Sequence, residues 1–281
     1  MLLTLSVASL RNRLAPVGSG RRPDFSGTAD ADADADAELI DPMLIPALAM
    51  GEFDLHGLHL PTWLFKGWDA AQLDRFRDRA DKAGCPCLVL AEETAHPMSD
   101  EDDEMVAQSV ERMERVLRVA HRLGCSSVAM SLTFSEGEDA RDFARENLRD
   151  LVKRAERLEL NLLLQPTEGL TGTPDSLTSL IRDVGGFRIG SCPSFAVAGA
   201  SGDPAAYLKA VTPYASAVVA HVGEITPDGS HDAFDLGACV EAVRAVGYDG
   251  SVAVEPSAGN VYEQIQRCKD ALASLLETEN A

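Results

Sequence analysis

Eight times along the chain a short β-rich apolar run gives way to an amphipathic stretch, and the order never breaks. The runs are LLTLSVAS, FDLHGLHL, PCLVLAE, CSSVAMSL, LNLLLQ, FRIGSC, SAVVAHV and GSVAVE. After the third, Val106, Val110, Met113, Leu117 and Ala120 step by four and three residues, with acids ahead of them and Gly124 behind as a C-cap. Similar signals mark DARDFARENLRDLVKRAERLE and DLGACVEAVRAVGYDG. Strands that alternate with helices, with no hairpin signal between them, belong to α/β folds on a parallel sheet. A count of eight selects a (β/α)8 TIM barrel with a closed sheet over a doubly wound open sheet. The 281 residues suit one such domain spanning 1–281.

One segment stands outside this rhythm. GSGRRPDFSGTADADADADAELIDP, from Gly18 to Pro42, carries no core pattern and reads as a flexible low-complexity insert between the first strand and its helix. A mobile lid is the sharper alternative. A calcium loop is disfavoured, because the Asp-Ala run lacks the glycine turn and terminal Glu that such a loop needs.

Charge narrows the partners. Forty-five acids against twenty Arg and five Lys leave a net −20, which disfavours long contact with phosphate backbones, so no nucleic-acid partner is expected. No apolar run approaches the roughly 18 residues of a membrane span, and MLLTLSVASLRNRLAP lacks a basic segment ahead of its apolar part. A cytoplasmic protein is expected. The stretch from Arg11 to Arg22 is basic and acid-free, as transit peptides are, but the first ten residues are needed as a strand. The cysteines at 85, 87, 125, 192, 239 and 268 sit mostly on apolar runs, as reduced core thiols do. Cys85 and Cys87 have no second pair at zinc spacing.

A barrel of this kind builds its site at the C-terminal ends of the strands. Standing there are His59 with Trp63 and Phe65 beyond it, Glu92 and Glu93 with His96 beyond, Ser131, Gln165, Ser194, His221 with Glu224, and Glu255. The last two strands supply the strongest pairing of ionisable groups. A His and a Glu on neighbouring strands can share a divalent metal or act as acid and base on a small carbonyl substrate.

The run AHVGEITPDGSHDAFDLGACVEAVRAVGYDGSVAVEP resembles the signature of the xylose isomerase-like barrels, the sugar phosphate isomerase/epimerase superfamily. It has a strand-end His with an acid three residues on, a glycine-containing loop, an Asp opening a helix, then GYDG and a strand ending in Glu. Weaker similarity covers TPDSLTSLIRDVGGFRIGSCPSF. The resemblance implies one divalent ion (manganese, magnesium, cobalt or zinc) held by Glu, Asp, His and Glu on strands five to eight. Carried over by motif, those positions are Gln165, Ser194, His221 and Glu255. Two match, and both departures remove a negative charge.

The resemblance also implies proton transfer next to a carbonyl by the strand-five and strand-eight carboxylates. Gln165 accepts no proton at ordinary pH, so a two-base exchange there fails, whereas Glu255 alone still serves a one-base aldose–ketose isomerisation. Glu168, three residues past Gln165, is a stand-in only if it leaves solvent. The expected function is therefore that of an isomerase or epimerase acting on a small sugar, sugar phosphate or polyol. Glu255 and His221 are its catalytic candidates, and His59, Trp63, Glu93, Gln165 and Glu224 its substrate-binding candidates. The alternative is a catalytically degenerate relative that binds a ligand or partner without turnover. A metal-cluster endonuclease of the same superfamily is disfavoured by the six scattered histidines and the charge. Bland readings stand beside these: Phe65 as core, Asp235 as an N-cap, His221 as a satisfied buried imidazole. Arg188 falls at the wrong end of the barrel for a phosphate, and a homo-oligomer is compatible with the sequence.

Overall fold

The computed structural model describes residues 1–23, 39–100, 102–133 and 139–277. The Asp-Ala run, and with it most of the 18–42 insert, lies outside the described residues.

Each of the eight apolar runs contains a strand. They are β1 Leu2–Ser6, β2 Leu58–Pro61, β3 Cys87–Ala91, β4 Ser127–Met130, β5 Asn161–Leu164, β6 Ile189–Ser191, β7 Ala217–Val222 and β8 Ser251–Pro256. Helices follow every strand: α1 Ile45–Phe53, α2 Ala70–Ala83, α3 Asp103–Leu123, α4 Ala140–Glu156 and α5 Pro174–Val184 come first. After β6 come α6 Phe195–Ala200 and α7 Pro204–Val211, then α8 Leu236–Ala245 and α9 Val261–Glu277.

Two runs are shorter than their sequence suggests. Phe53 belongs to the end of α1, and Asp54 turns left-handed at φ 53° so that its N–H caps Ala49, which delays β2 to Leu58. Phe187 is fully exposed ahead of a three-residue β6. The amphipathic stretch before the fourth strand is α3. It buries Met113, Leu117 and Ala120 completely against the sheet, and ends at Gly124, whose φ of 80° places its N–H on Ala120 O. Truncating Leu117 to Ala there would cost about 2–5 kcal/mol.

All strand pairs are parallel, in the order β6-β5-β4-β3-β2-β1-β8-β7. A closed ladder was expected, but the sheet is a curled one whose ladder is open between β6 and β7. These end strands meet only through isolated bridges, Ser191 with Ala215 and Ser194 with Val219. The physical cause is local. Pro193 has no N–H to give and contributes only its carbonyl, to Val219 N at 2.9 Å.

Register decides which face each residue takes. Ser6 pairs His59, His59 pairs Val89, Ala91 pairs Ala129, and Ala129 pairs Leu163, so these share the concave face. The same parity runs through Val219 with Ala253 and His221 with Glu255. Low on this face Val89, Ala91, Ala129, Leu163, Cys192, Ala217 and Val219 pack into a small inner cluster. The opposite face meets the helices in the main core. All six cysteines are free and buried. Among the described residues no helix is long and apolar enough to cross a membrane.

Candidate functional site

Above the inner cluster the concave face turns polar. One level up, each strand or its immediate extension presents a residue to a cavity of about 300 Å³. Ser6, His59, Glu93 and Ser131 come from the first four strands; Gln165, Ser194, His221 and Glu255 come from the last four. Period-two alternation puts them there, since each continues the inward parity of its strand.

The parity also separates Glu92 from Glu93. Glu92 points outward, where its side chain is 1 % exposed and accepts from Arg112 Nη2 of α3 at 2.7 Å and from Thr94 N at 3.0 Å. Glu93 reaches the cavity border, but its two oxygens are taken: Trp63 Nε1 donates to one at 2.9 Å and Arg11 Nη2 to the other at 2.8 Å. Trp63 therefore holds Glu93 from outside and does not line the cavity, contrary to its expected place against the ligand. Glu224 does not line this cavity either. It is exposed, outside the cavity lining, because the inward parity of β7 ends with His221 and Gly223 while 224 faces away. Glu168 is likewise exposed and absent from the lining.

The centre of the site is Glu255. His221 Nδ1 donates to its Oε1 at 2.7 Å, and Ser6 Oγ donates to its Oε2. Burial opposes the Glu255 charge, yet these two hydrogen bonds outweigh it and hold the carboxyl below its ordinary range. The bond from Glu255 raises the His221 pKa above the ordinary imidazole value, against partial burial. The side chains are 41 % exposed for His221 and 18 % for Glu255, so the imidazole is the open end of the pair. His59 is buried, with Nδ1 enclosed and unpaired. Burial lowers its pKa, with Glu255 pulling the other way, and a neutral ring results.

The other half of the rim is neutral. Gln165 Oε1 accepts from Ser131 Oγ at 3.3 Å, and its backbone N–H bonds Met130 O at 2.8 Å. Ser194 stands at the start of α6 without capping it through its side chain. Cys192 lies beneath, its thiol pushed up to about 12 by burial first and by Glu255 second.

Remaining expectations fall to structural roles. Phe65 packs edge-on against Trp68 and Phe76. His96 is buried and lies off the cavity. Asp235 Oδ1 accepts from Ala238 N at 3.0 Å as an N-cap, and His231 Nε2 accepts from Gly223 N at 2.9 Å. Ser6 and Arg11 were missed as neighbours of the site. Ser6 sits at the inward parity of a strand that ends sooner than its apolar run, and only the shorter β1 makes it a strand-end residue.

The metal that the resemblance implies is a poor match for these donors. The four carried-over positions offer one carboxylate, already bonded through both oxygens, with an imidazole, an amide and a hydroxyl. Three of the four donors are uncharged and the one carboxylate is shared, which leaves at least half of a dication's charge uncompensated. Among the described residues no three His, Cys, Asp or Glu side chains gather at metal-holding distance.

Solved structures share this architecture at low identity. A D-tagatose 3-epimerase-like protein superposes with a TM-score of 0.72 at 15 % identity, over 100 % of this chain and 98 % of that one. D-psicose 3-epimerase from Clostridium cellulolyticum H10, solved with D-tagatose, gives 0.70 at 13 %, over 100 % and 98 %. The IOLI protein, solved with a binding zinc atom, gives 0.69 at 14 %, over 98 % and 96 %. No curated protein matches the sequence. The profile described as xylose isomerase-like TIM barrel matches residues 49–278, which takes in seven of the eight strands and both His221 and Glu255. By that match, the chain belongs to the xylose isomerase-like TIM barrel family.

Proposed function

We propose that the protein transfers a proton next to the carbonyl of a small sugar or polyol-derived ketose held in the inner cavity, with His221 and Glu255 as the acting pair. The observation that carries this reading is the 2.7 Å bond between them, on a cavity whose roughly 300 Å³ suits one monosaccharide. Glu255 spends both oxygens on His221 and Ser6, so its part is to orient the ring and to stabilise the imidazolium that forms. With Nδ1 committed, Nε2 is the ring nitrogen left for the ligand. It takes a proton from the carbon beside the carbonyl and returns it to the neighbouring carbon or oxygen.

The neutral His59 faces the same space as a hydrogen-bond partner for a developing enolate. Gln165 orients a hydroxyl and exchanges no proton, so a one-base aldose–ketose isomerisation fits better than a two-base epimerisation. The donor set does not fit a resident divalent ion, and no step is assigned to one.

A second reading is a binding protein without turnover, favoured by the neutral pair of Gln165 and Ser194. Proton exchange separates the two. The protein is incubated in D2O with D-fructose or D-tagatose and followed by NMR, beside His221→Asn and Glu255→Gln. Deuterium incorporation at the carbon next to the carbonyl, lost in both variants, supports the enzyme. Sugar binding without incorporation sinks it in favour of the binder.

A further inference from the structure

We infer that His231 is a positioning residue for His221: with Phe234 it forms a clasp across the open seam between β6 and β7 that fixes the end of β7. The positioning is argued from packing and hydrogen bonds alone; its effect on turnover rests on the function proposed above.

The two sides of β7 are held unequally. On the β8 side its ladder runs to the top of the strand, with His221 opposite Glu255 and Val222 opposite Pro256. Among the described residues the bridges toward β6 stop at Val219, two residues below His221. A ring that aims one nitrogen at a carboxylate and the other at a ligand tolerates little drift, since a displacement of about 1 Å can cost about 10²-fold in rate.

The loop after β7 supplies the missing restraint. An antiparallel bridge of Ile225 with His231 folds the loop back, and His231 Nε2 accepts from Gly223 N at 2.9 Å. Val222 O accepts from Ser257 N and from Ser257 Oγ, each at 2.9 Å, on the extension of β8. The Val222–Gly223 peptide, just past His221, is therefore pinned at both ends, its oxygen by β8 and its N–H by the clasp. The His231 ring packs against Phe234, with centroids 4.2 Å apart. Phe234 in turn lies against Gly199 of α6, where an added Cβ would overlap its ring. Because α6 begins directly after Ser194, this chain of contacts runs from the β6 side of the seam to the β7 side.

The residue type points the same way. An imidazole that accepts at Nε2 is neutral and carries its proton on Nδ1, and His231 Nδ1 is enclosed without a partner among the described residues. An apolar side chain would fill the same space without burying an unpaired donor, so the bond to Gly223 is what the position gains from histidine.

The test reads the His221 ring by nitrogen NMR of protein isotope-labelled at histidine, at a pH where the ring is neutral, with His221→Asn as the assignment control. In the wild type the bond to Glu255 keeps the ring protonated on Nδ1, whereas a ring freed of that bond favours the proton on Nε2. His231→Leu should shift His221 toward the Nε2-protonated form, and His231→Gln, which returns an acceptor to Gly223 N, should reverse the shift. Gly199→Ala reaches the clasp from α6 through Phe234 and should cause a smaller shift in the same direction, although Ala is otherwise the better helix residue. In D2O with D-tagatose, His231→Leu should slow deuterium incorporation at saturating sugar by about tenfold or more while changing sugar affinity by less than about threefold. A wild-type His221 tautomer in both His231→Leu and Gly199→Ala overturns the inference; if His231→Leu does not fold, Gly199→Ala decides alone. The tautomer is read without turnover. A wild type that exchanges no deuterium, with variants that still shift the ring, would leave the clasp standing and the proposed isomerase wrong.

Discussion

The rim of the barrel divides into two unlike arcs. Along β7, β8 and β1, His221 and Ser6 hydrogen-bond the single carboxylate of Glu255, and His59 of β2 stands beside them. Across the mouth, Ser131, Gln165 and Ser194 are neutral, and the one hydrogen bond among them is a 3.3 Å contact. Both arcs occupy the same level of the same sheet, so position alone does not make a residue reactive. The difference is charge: the first arc gathers a carboxylate with donors that stabilise it, and the second holds only dipoles. On the function proposed above, proton transfer falls to the first arc and ligand orientation to the second.

Substitutions should separate the arcs most sharply in turnover. Glu255→Gln is expected to lower the rate of proton exchange by about 10²–10⁴-fold, whereas Ser131→Ala should change it less than about tenfold; equal losses in the NMR assay would erase the distinction. Charging the neutral arc is the next largest change. Gln165→Glu with Ser194→Asp should raise divalent-cation affinity by about 100-fold or more in a titration with manganese or zinc, because two carboxylates are added beside His221 and Glu255. No gain would mean that these two positions do not share a centre.

Within the ionisable arc, Ser6→Ala removes a buried hydrogen bond to a charged group and should cost about 1.5–3 kcal/mol in denaturant unfolding. An effect below about 0.5 kcal/mol would show that Glu255 does not depend on it. The pH dependence is smaller, because the His221 side chain is 41 % exposed and solvent screens the pair. Glu255 has a lowered folded pKa, so its contribution is present above its ordinary value of 4.5 and is lost as pH falls through the folded value. His221 has a raised folded pKa, so its contribution is complete below 6.5 and is lost as pH rises through the folded value. Together they stabilise most between pH 4.5 and 6.5. His59, held neutral by burial, opposes this as pH falls below 6.5. Melting curves of the wild type minus those of Glu255→Ala should therefore peak in that window, and a flat difference would contradict the pairing. Smallest of all, Trp63→Phe removes one partly exposed hydrogen bond to Glu93 and should lower stability by about 0.5–1 kcal/mol without changing affinity for a neutral sugar.

Much of this was readable in the chain. Eight apolar runs alternating with helical periodicity led to a parallel α/β barrel, and Gly124 and Asp235 were legible as caps because capping is chemistry between residues a few positions apart. The strand-end list contained most of the cavity rim, since alternation along a strand is a local property of the backbone. Glu93 could not be told from Glu92 by that rule alone, as the inward parity of β3 comes from its register with β2 and β4.

What only the tertiary structure decided was partnership. His221 and Glu255 lie 34 residues apart, and Ser6 meets Glu255 across 249. Glu224 and Trp63, each a reasonable ligand contact by position, were turned away by the parity of β7 and by the oxygens of Glu93. Arg11, on the 3-10 turn Val7–Arg13, became part of the site's surroundings only because β1 lies between β2 and β8. The open seam depended on the meeting of two strand ends at Pro193. A chain carries its periodicity in nearest neighbours, whereas the charge that a side chain meets is set by register between strands far apart in sequence. That is why the barrel was legible along the chain, and why the roles of its acids and bases had to wait for the fold.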